Sequence, residues 1–169
     1  LSDLIFVPSH YLYNKYSNFL FAKKKLEYRN PGINKNIINT NNGNDNNVEV
    51  AHQDKYSFCI IGNLIPIKGH PILFRALQKI NNNNFICYII GSGTDDQIIY
   101  LKTMTKKLNI SNKVKFLGYV KNPLAILNKC DFLISTSFSE ASPRVIQESY
   151  HCKKPVVATN VGGQTELVI

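Results

Sequence analysis

Two stretches of the sequence combine charge, glycine and a helix start in the way that anion and sugar chemistry requires. The first is Gly62-Asn63-Leu64-Ile65-Pro66-Ile67-Lys68-Gly69-His70-Pro71. Its glycines let a ligand approach the backbone closely, and Lys68 puts a point charge just before a helix start, where free amides already favour an anion. A phosphate suits this loop; a solvated lysine in a turn is the competing reading, and His70 reads as a helix-start residue. The second stretch runs Ser137-Phe138-Ser139-Glu140-Ala141-Ser142-Pro143-Arg144-Val145-Ile146-Gln147-Glu148. Ser142 is placed to cap a helix and Pro143 to fill its first turn, which leaves Glu140 just outside the helix and Glu148 within it. Carboxylates accept hydroxyl hydrogen bonds in fixed geometry, and one near a reacting carbon stabilises positive charge. Against this stands an exposed Glu140 with an ordinary helical Arg144 to Glu148 pair, worth a few tenths of a kcal/mol.

Three further loops carry glycine after an apolar run. Gly91-Ser92-Gly93-Thr94-Asp95 has the form of a nucleotide-binding turn, but position 96 is Asp where the dinucleotide fingerprint needs its third glycine. A nicotinamide dehydrogenase is therefore disfavoured. Gly118-Tyr119-Val120 repeats the arrangement, and Thr159-Asn160-Val161-Gly162-Gly163 leads toward Glu166 with glycine amides that an anion could use.

These loops need elements to hold them. Apolar, β-rich runs at Tyr56 to Ile61, Phe85 to Ile90, Val114 to Leu117, Asp131 to Ser135 and Pro155 to Thr159 predict strands. Between them Pro71 to Ile80, Asp95 to Leu108, Pro123 to Lys129 and Pro143 to Cys152 show apolar residues at three-and-four spacing and predict helices. Such alternation implies an α/β fold, a parallel sheet covered by helices on both faces, with ligands bound at the carboxyl ends of the strands. Asparagine clusters at 39–47 and 81–84 mark loops, and the longer one belongs to a linker that puts a boundary near residue 54.

The composition sets the outer bounds. A length of 169 residues allows one main core, and 44% hydrophobic with 18% charged residues is a globular balance. No apolar run approaches the roughly 18 to 20 residues that cross a bilayer, and no signal peptide is recognisable. Opening at Leu1 and stopping after a glycine pair, the chain reads as a piece of a longer protein. A net charge of +9 admits an anionic partner, yet the lysines are spread and lack interleaved aromatics, so a solvated face is the plainer reading. Cys59, Cys87, Cys130 and Cys152 show no metal-ligand spacing and read as reduced cytosolic thiols.

Taken in order, the five loops resemble the C-terminal half of a family 4 glycosyltransferase of the GT-B fold. The resemblance is carried by Gly62 to Leu64, Lys68 to His70, Gly91 to Gly93, Gly118 to Val120, the E-x7-E of Glu140 and Glu148, and Pro155 to Glu166. Less specifically, Asp3 to Ser9 looks like the last strand of an N-terminal domain, and Asn30 to Ile33 like the turn entering the C-terminal domain. The resemblance implies a Rossmann-like domain truncated at both ends. Residues 1–54 would be the end of the acceptor-side domain plus the linker, and 55–169 the incomplete donor domain.

It also implies roles. Lys68 would bind the donor diphosphate, and Glu140 with Ala141, Ser142 and Pro143 would hold the donor sugar and phosphate. Glu148 would hold the ribose, while Gly62, Asn63, Gly91, Gly93, Gly118 and Val120 would border the donor. Lys68 and Glu140 are the residues expected to act on the reaction. Retention of configuration, no cofactor and no metal are implied too, with a nucleotide-sugar donor and a glycan, polysaccharide or lipid-linked acceptor. A cytoplasmic location follows, extending to a peripheral contact with the membrane face, and nucleic acid is not an expected partner. The fragment alone is expected to be inactive.

Four departures from the family pattern stand out. Asn63 replaces an arginine, Ala141-Ser142 a frequent Gly-Phe, Lys153 a common glycine, and Gln164-Thr165 a frequent apolar-Pro pair. Two alternatives remain at this level: a GT-B epimerase acting on a nucleotide sugar without an acceptor, and a basic, non-catalytic nucleic-acid-binding module.

Overall fold

The computed structural model describes residues 4–19, 25–29, 32, 50, 55–82 and 84–168. The expected boundary near residue 54, the asparagine cluster at 39–47 and most of the turn at Asn30 to Ile33 lie outside the described residues.

Among the described residues, the sheet that carries the five loops consists of β3 (Tyr56–Ile61), β4 (Phe85–Ile90), β5 (Val114–Gly118), β6 (Phe132–Ser135) and β7 (Val156–Ala158). All neighbours run parallel, in the order β5-β4-β3-β6-β7. β3 and β4 occupy the expected ranges. Every residue of β4 is buried, as expected of an aromatic and β-branched strand with helices on both faces. β6 starts one residue later than expected because the Asp131 carboxylate turns to accept hydrogen bonds from the Ser57 amide at 2.6 Å and hydroxyl at 3.2 Å. β7 is shorter at both ends than the apolar run suggested.

Strand alternation divides the core into two layers. Phe58, Ile60, Cys87 and Ile89 face one layer with Leu73, Phe74, Leu77 and Leu101. Cys59, Tyr88, Ile90 and Leu133 face the other with Leu127 and Ile146. The first layer is closed by α2 (His70–Gln78) and α3 (Asp95–Lys107), the second by α4 (Pro123–Lys129) and α5 (Arg144–His151). α2 buries His70, Leu73, Phe74 and Leu77, a spacing that forms one helix face. Its first residue is His70, one before the expected Pro71, and it stops short of Ile80. The start of α3 is set by a capping box between Thr94 and Gln97.

One expectation about α5 is corrected. The N-cap position is Pro143 and Arg144 is the first helical residue, so Ser142 stands one place too far out to cap and no side chain caps this helix. All four cysteines are free, three of them buried. A hydrogen bond with Cys130 and burial push the Cys59 thiol well above its ordinary pKa, so it stays protonated.

The N-terminal section forms β1 (Ile5–Val7), α1 (His10–Ser17) and β2 (Leu26–Tyr28), with β1 and β2 paired in parallel. The expected strand within Asp3 to Ser9 is β1, and Ser9 caps α1 through Leu12 N at 3.3 Å. A second cap comes from far along the chain: Glu166 accepts from the amides of His10 at 3.0 Å and Tyr11 at 2.6 Å. A carboxylate on the positive end of a helix is favourable, and here it ties the first section to the last.

Candidate functional site

Strand order reverses between β3 and β6, because the crossovers from β3 run outward to β4 and β5 while those from β6 run the other way. Loops leaving such a switch point part and open a crevice. The loop after β3 carries Lys68 and the loop after β6 carries Glu140. Lys68 Nζ lies 2.6 Å from Glu140 Oε1, with side chains only 26% and 14% exposed. The sequence separates these residues by 72 positions, and the fold joins them. Ser137 Oγ donates to the same carboxylate oxygen at 2.8 Å.

The loops are fastened to one another by their backbones. Phe138 N donates to Ile67 O at 2.8 Å, and Thr136 Oγ1 to Lys68 O at 3.1 Å. Leu64 N donates to Ser92 O at 2.8 Å, and Gly91 N to Gly118 O at 2.8 Å. Glycine is required where these loops touch. A Cβ on Gly91 would lie 1.9 Å from Gly62 O, and one on Gly69, whose φ is 66°, would lie 1.9 Å from Thr136 O. The Lys68 side chain itself passes over Gly62, with Cε 3.4 Å from where a Cβ would stand.

The Gly162-Gly163 pair serves the same close packing. Gly163 N donates to Glu140 O at 2.8 Å, so this amide is not free for an anion as the sequence suggested. Side chains on the pair would run into Glu140 O and Ala141 O. The glycines thus hold the backbone of the Glu140 loop, while Lys68 meets its side chain. The buried Gln164, with Thr159 and Ser135, forms a polar cluster beneath that loop. Sequence reasoning missed Ser137, Thr159 and Gln164 as parts of the site; the only available signals were Ser137 three residues before Glu140 and a glutamine where the resembled family is apolar.

The turns at Gly91 and Gly118 share a cavity of about 360 Å³ lined also by Ser92, Lys102, Phe116 and Tyr119. Gly93 packs against Leu64, Asn63 is exposed, and Val120 is partly buried against the second core layer. Glu148 lies one turn into α5, 3.8 Å from Arg144, so the ordinary helical pair is present. Ser142 lines a smaller cavity of about 180 Å³ with Ser9, His10 and Tyr28. His70 is buried at the foot of the Lys68 loop with its Nε2 unpartnered. Burial, assisted by the Lys68 charge, lowers its pKa to about 4, which keeps the imidazole neutral near pH 7. Among the described residues no cluster of three or more His, Cys, Asp or Glu is arranged to hold a metal.

A doubly wound sheet with charged loops at its switch point defines an α/β protein of the class that binds ligands at that crevice. The chain belongs to the glycosyl transferases group 1, whose family model matches residues 41–169. It is 32% identical to a glycosyltransferase of Methanocaldococcus jannaschii, MJ1178, over 99% of this chain and 43% of the relative. It is also 32% identical to the N-acetylgalactosamine-N,N'-diacetylbacillosaminyl-diphospho-undecaprenol 4-alpha-N-acetylgalactosaminyltransferase of Campylobacter jejuni, over 85% of this chain and 37% of that one. The chain therefore spans less than half the length of these relatives. Among solved structures, a Rickettsia africae glycosyltransferase superposes with a TM-score of 0.84 at 22% identity, over 97% of this chain and 46% of that one. Anabaena HepE in complex with UDP-glucose superposes with a TM-score of 0.80 at 24% identity, over all of this chain and 48% of that one. The fold is thus the one expected, the Rossmann-like half of a GT-B glycosyltransferase.

Proposed function

We propose that this chain is the donor-binding part of a retaining family 4 glycosyltransferase that moves a sugar from a nucleotide sugar to a glycan or lipid-linked acceptor. The observation that carries the reading is the Lys68–Glu140 pair at the switch point. A diphosphate would take the Lys68 ammonium, which has two further donors beyond the one given to Glu140. Glu140 would accept a sugar hydroxyl, Glu148 the ribose diol, and the cavity between Gly91 and Gly118 the base. Charge building on the leaving diphosphate would be met by Lys68 and the loop amides, so the reading includes no metal and no cofactor. The HepE structure holds UDP-glucose on a similar fold, and the Campylobacter relative is named for an undecaprenol-linked acceptor, which supports a lipid-linked acceptor and work at the cytoplasmic membrane face. An epimerase or a nucleic-acid module has no observation of its own in its favour.

The test is donor binding and turnover in the full-length enzyme carrying Lys68→Ala or Glu148→Gln. Losing a charge-assisted contact to the diphosphate should cost roughly 1.5 to 3 kcal/mol, about ten- to a hundredfold, for Lys68→Ala. Glu148→Gln should weaken binding of the bare nucleotide as well, since an amide offers a diol only one acceptor oxygen. Unchanged binding and turnover in both, with folding intact, would refute the reading.

A further inference from the structure

The side chain of Gln164 is fully buried and all of its polar atoms are used. Its Oε1 accepts from Ser135 Oγ, and its Nε2 donates to the carbonyl and the hydroxyl oxygen of Thr159, each at 3.1 Å. Ser135 and Thr159 lie where β6 and β7 release their loops, joined by the bond from Thr159 N to Ser135 O at 2.9 Å. From there a chain of side-chain hydrogen bonds leads to the site. Thr159 Oγ1 donates to Ser137 O at 2.6 Å, and Ser137 Oγ donates at 2.8 Å to the Glu140 oxygen that also takes Lys68. Gly163, next in the chain to Gln164, holds the Glu140 carbonyl.

We infer that Gln164 is a positioning residue for Glu140: through Thr159 and Ser137 its amide sets the height and direction of the carboxylate that meets the donor sugar. The inference rests on the reading of Glu140 proposed above. An apolar residue of equal size would fill the same space but would leave the two strand ends joined by their backbone bond alone. The Ser135 hydroxyl would then be left buried and in need of a new acceptor, and the rotor of Thr159 would lose the donor that fixes it. The loop that carries Ser137 and Glu140 would be free to settle elsewhere. Misplacement by an ångström or so is enough to lower a catalytic rate severely.

A merely structural glutamine and a positioning one predict different patterns. In the full-length enzyme, affinities would be measured for UDP, GDP and ADP and for their glucose esters, carrying forward the pair that binds. Gln164→Leu should reduce kcat by about ten- to a hundredfold. It should also cut the affinity gained from the sugar while leaving that of the bare diphosphate within about twofold, since Lys68 and Glu148 stay in place. Thr159→Val severs the route at its second step with little change of volume and should reproduce the pattern, which keeps the test open if Gln164→Leu does not fold. Equal losses for sugar nucleotide and bare diphosphate, or a lower melting temperature with kcat unchanged, would overturn the inference. Glu140→Gln separates the two levels. If it too leaves the sugar's contribution intact, the reading of Glu140 fails; if it removes that contribution while the Thr159 and Gln164 variants do not, only the positioning route fails.

Discussion

Glu140 pairs with the cation that the proposed diphosphate would use, so the site holds a carboxylate where an anionic ligand is expected. This keeps Lys68, a largely covered ammonium, from standing unpaired in a partly desolvated crevice. His70 beside it is the reverse case, a base held neutral by burial. Its folded pKa of about 4 lies below the unfolded value near 6.5, so the unfolded chain binds the proton first as pH falls. The stability tied to neutral His70 is therefore whole above about pH 6.5 and is lost as pH falls toward 4. Between pH 7 and pH 5 the loss should come to about 2 kcal/mol. Melting curves of the wild type and His70→Phe across that range should diverge, with the wild type falling more steeply, because the carboxylates titrate in both. Parallel curves would show that His70 does not carry the shift. At this scale the sequence displayed the charged pair that the fold brings together, since Lys68 and Glu140 stand in recognisable loop contexts. It could not display Gln164 or Thr159, whose work depends on partners 5 to 29 positions away.

At the scale of elements, the strands and helices after residue 55 were legible because buried parallel strands are nearly continuous apolar runs and their covering helices have one apolar face. Helix ends were less legible, since they are fixed by single hydrogen bonds. α3 and α5 end alike. Ile110 N reaches Thr105 O and Asn109 N reaches Lys106 O, while Lys154 N reaches Ser149 O and Lys153 N reaches Tyr150 O. Both are Schellman closures, which need a left-handed residue, and Asn109 has φ 54° and Lys153 φ 56°. Asparagine tolerates that conformation, but lysine pays about 1 to 2 kcal/mol for it. Glycine relieves the strain and returns part of the gain through its freer unfolded chain. Lys153→Gly should therefore stabilise the protein by about 0.5 to 1 kcal/mol, read as a higher denaturant midpoint with an unchanged slope. A lower midpoint would mean that the lysine side chain makes a compensating contact.

At the scale of the whole molecule, a net charge of +9 and a site with one central cation predict different responses to salt. A diphosphate held mainly by Lys68 neutralises few charges, so the logarithm of its affinity should fall with the logarithm of salt at a slope of about −1 to −2. A polynucleotide spread over the scattered lysines would release a counterion for nearly every phosphate contacted and give a slope several times steeper. The same distinction bears on activity. On the proposed reading the acceptor is held by residues beyond these 169, consistent with a chain that spans 43% of its Methanocaldococcus relative. The 169-residue chain should then bind a nucleotide sugar, gaining about 2.7 kcal/mol of stability at a hundred times the dissociation constant, without transferring the sugar. Titrations of UDP-glucose, GDP-glucose and ADP-glucose across salt concentrations, paired with a transfer assay free of contaminating enzyme, would examine both halves of the prediction. Shallow salt dependence without turnover is the expected pair of results. Turnover by this chain alone would place the acceptor within it, and steep salt dependence would return the lysines to the centre of its function.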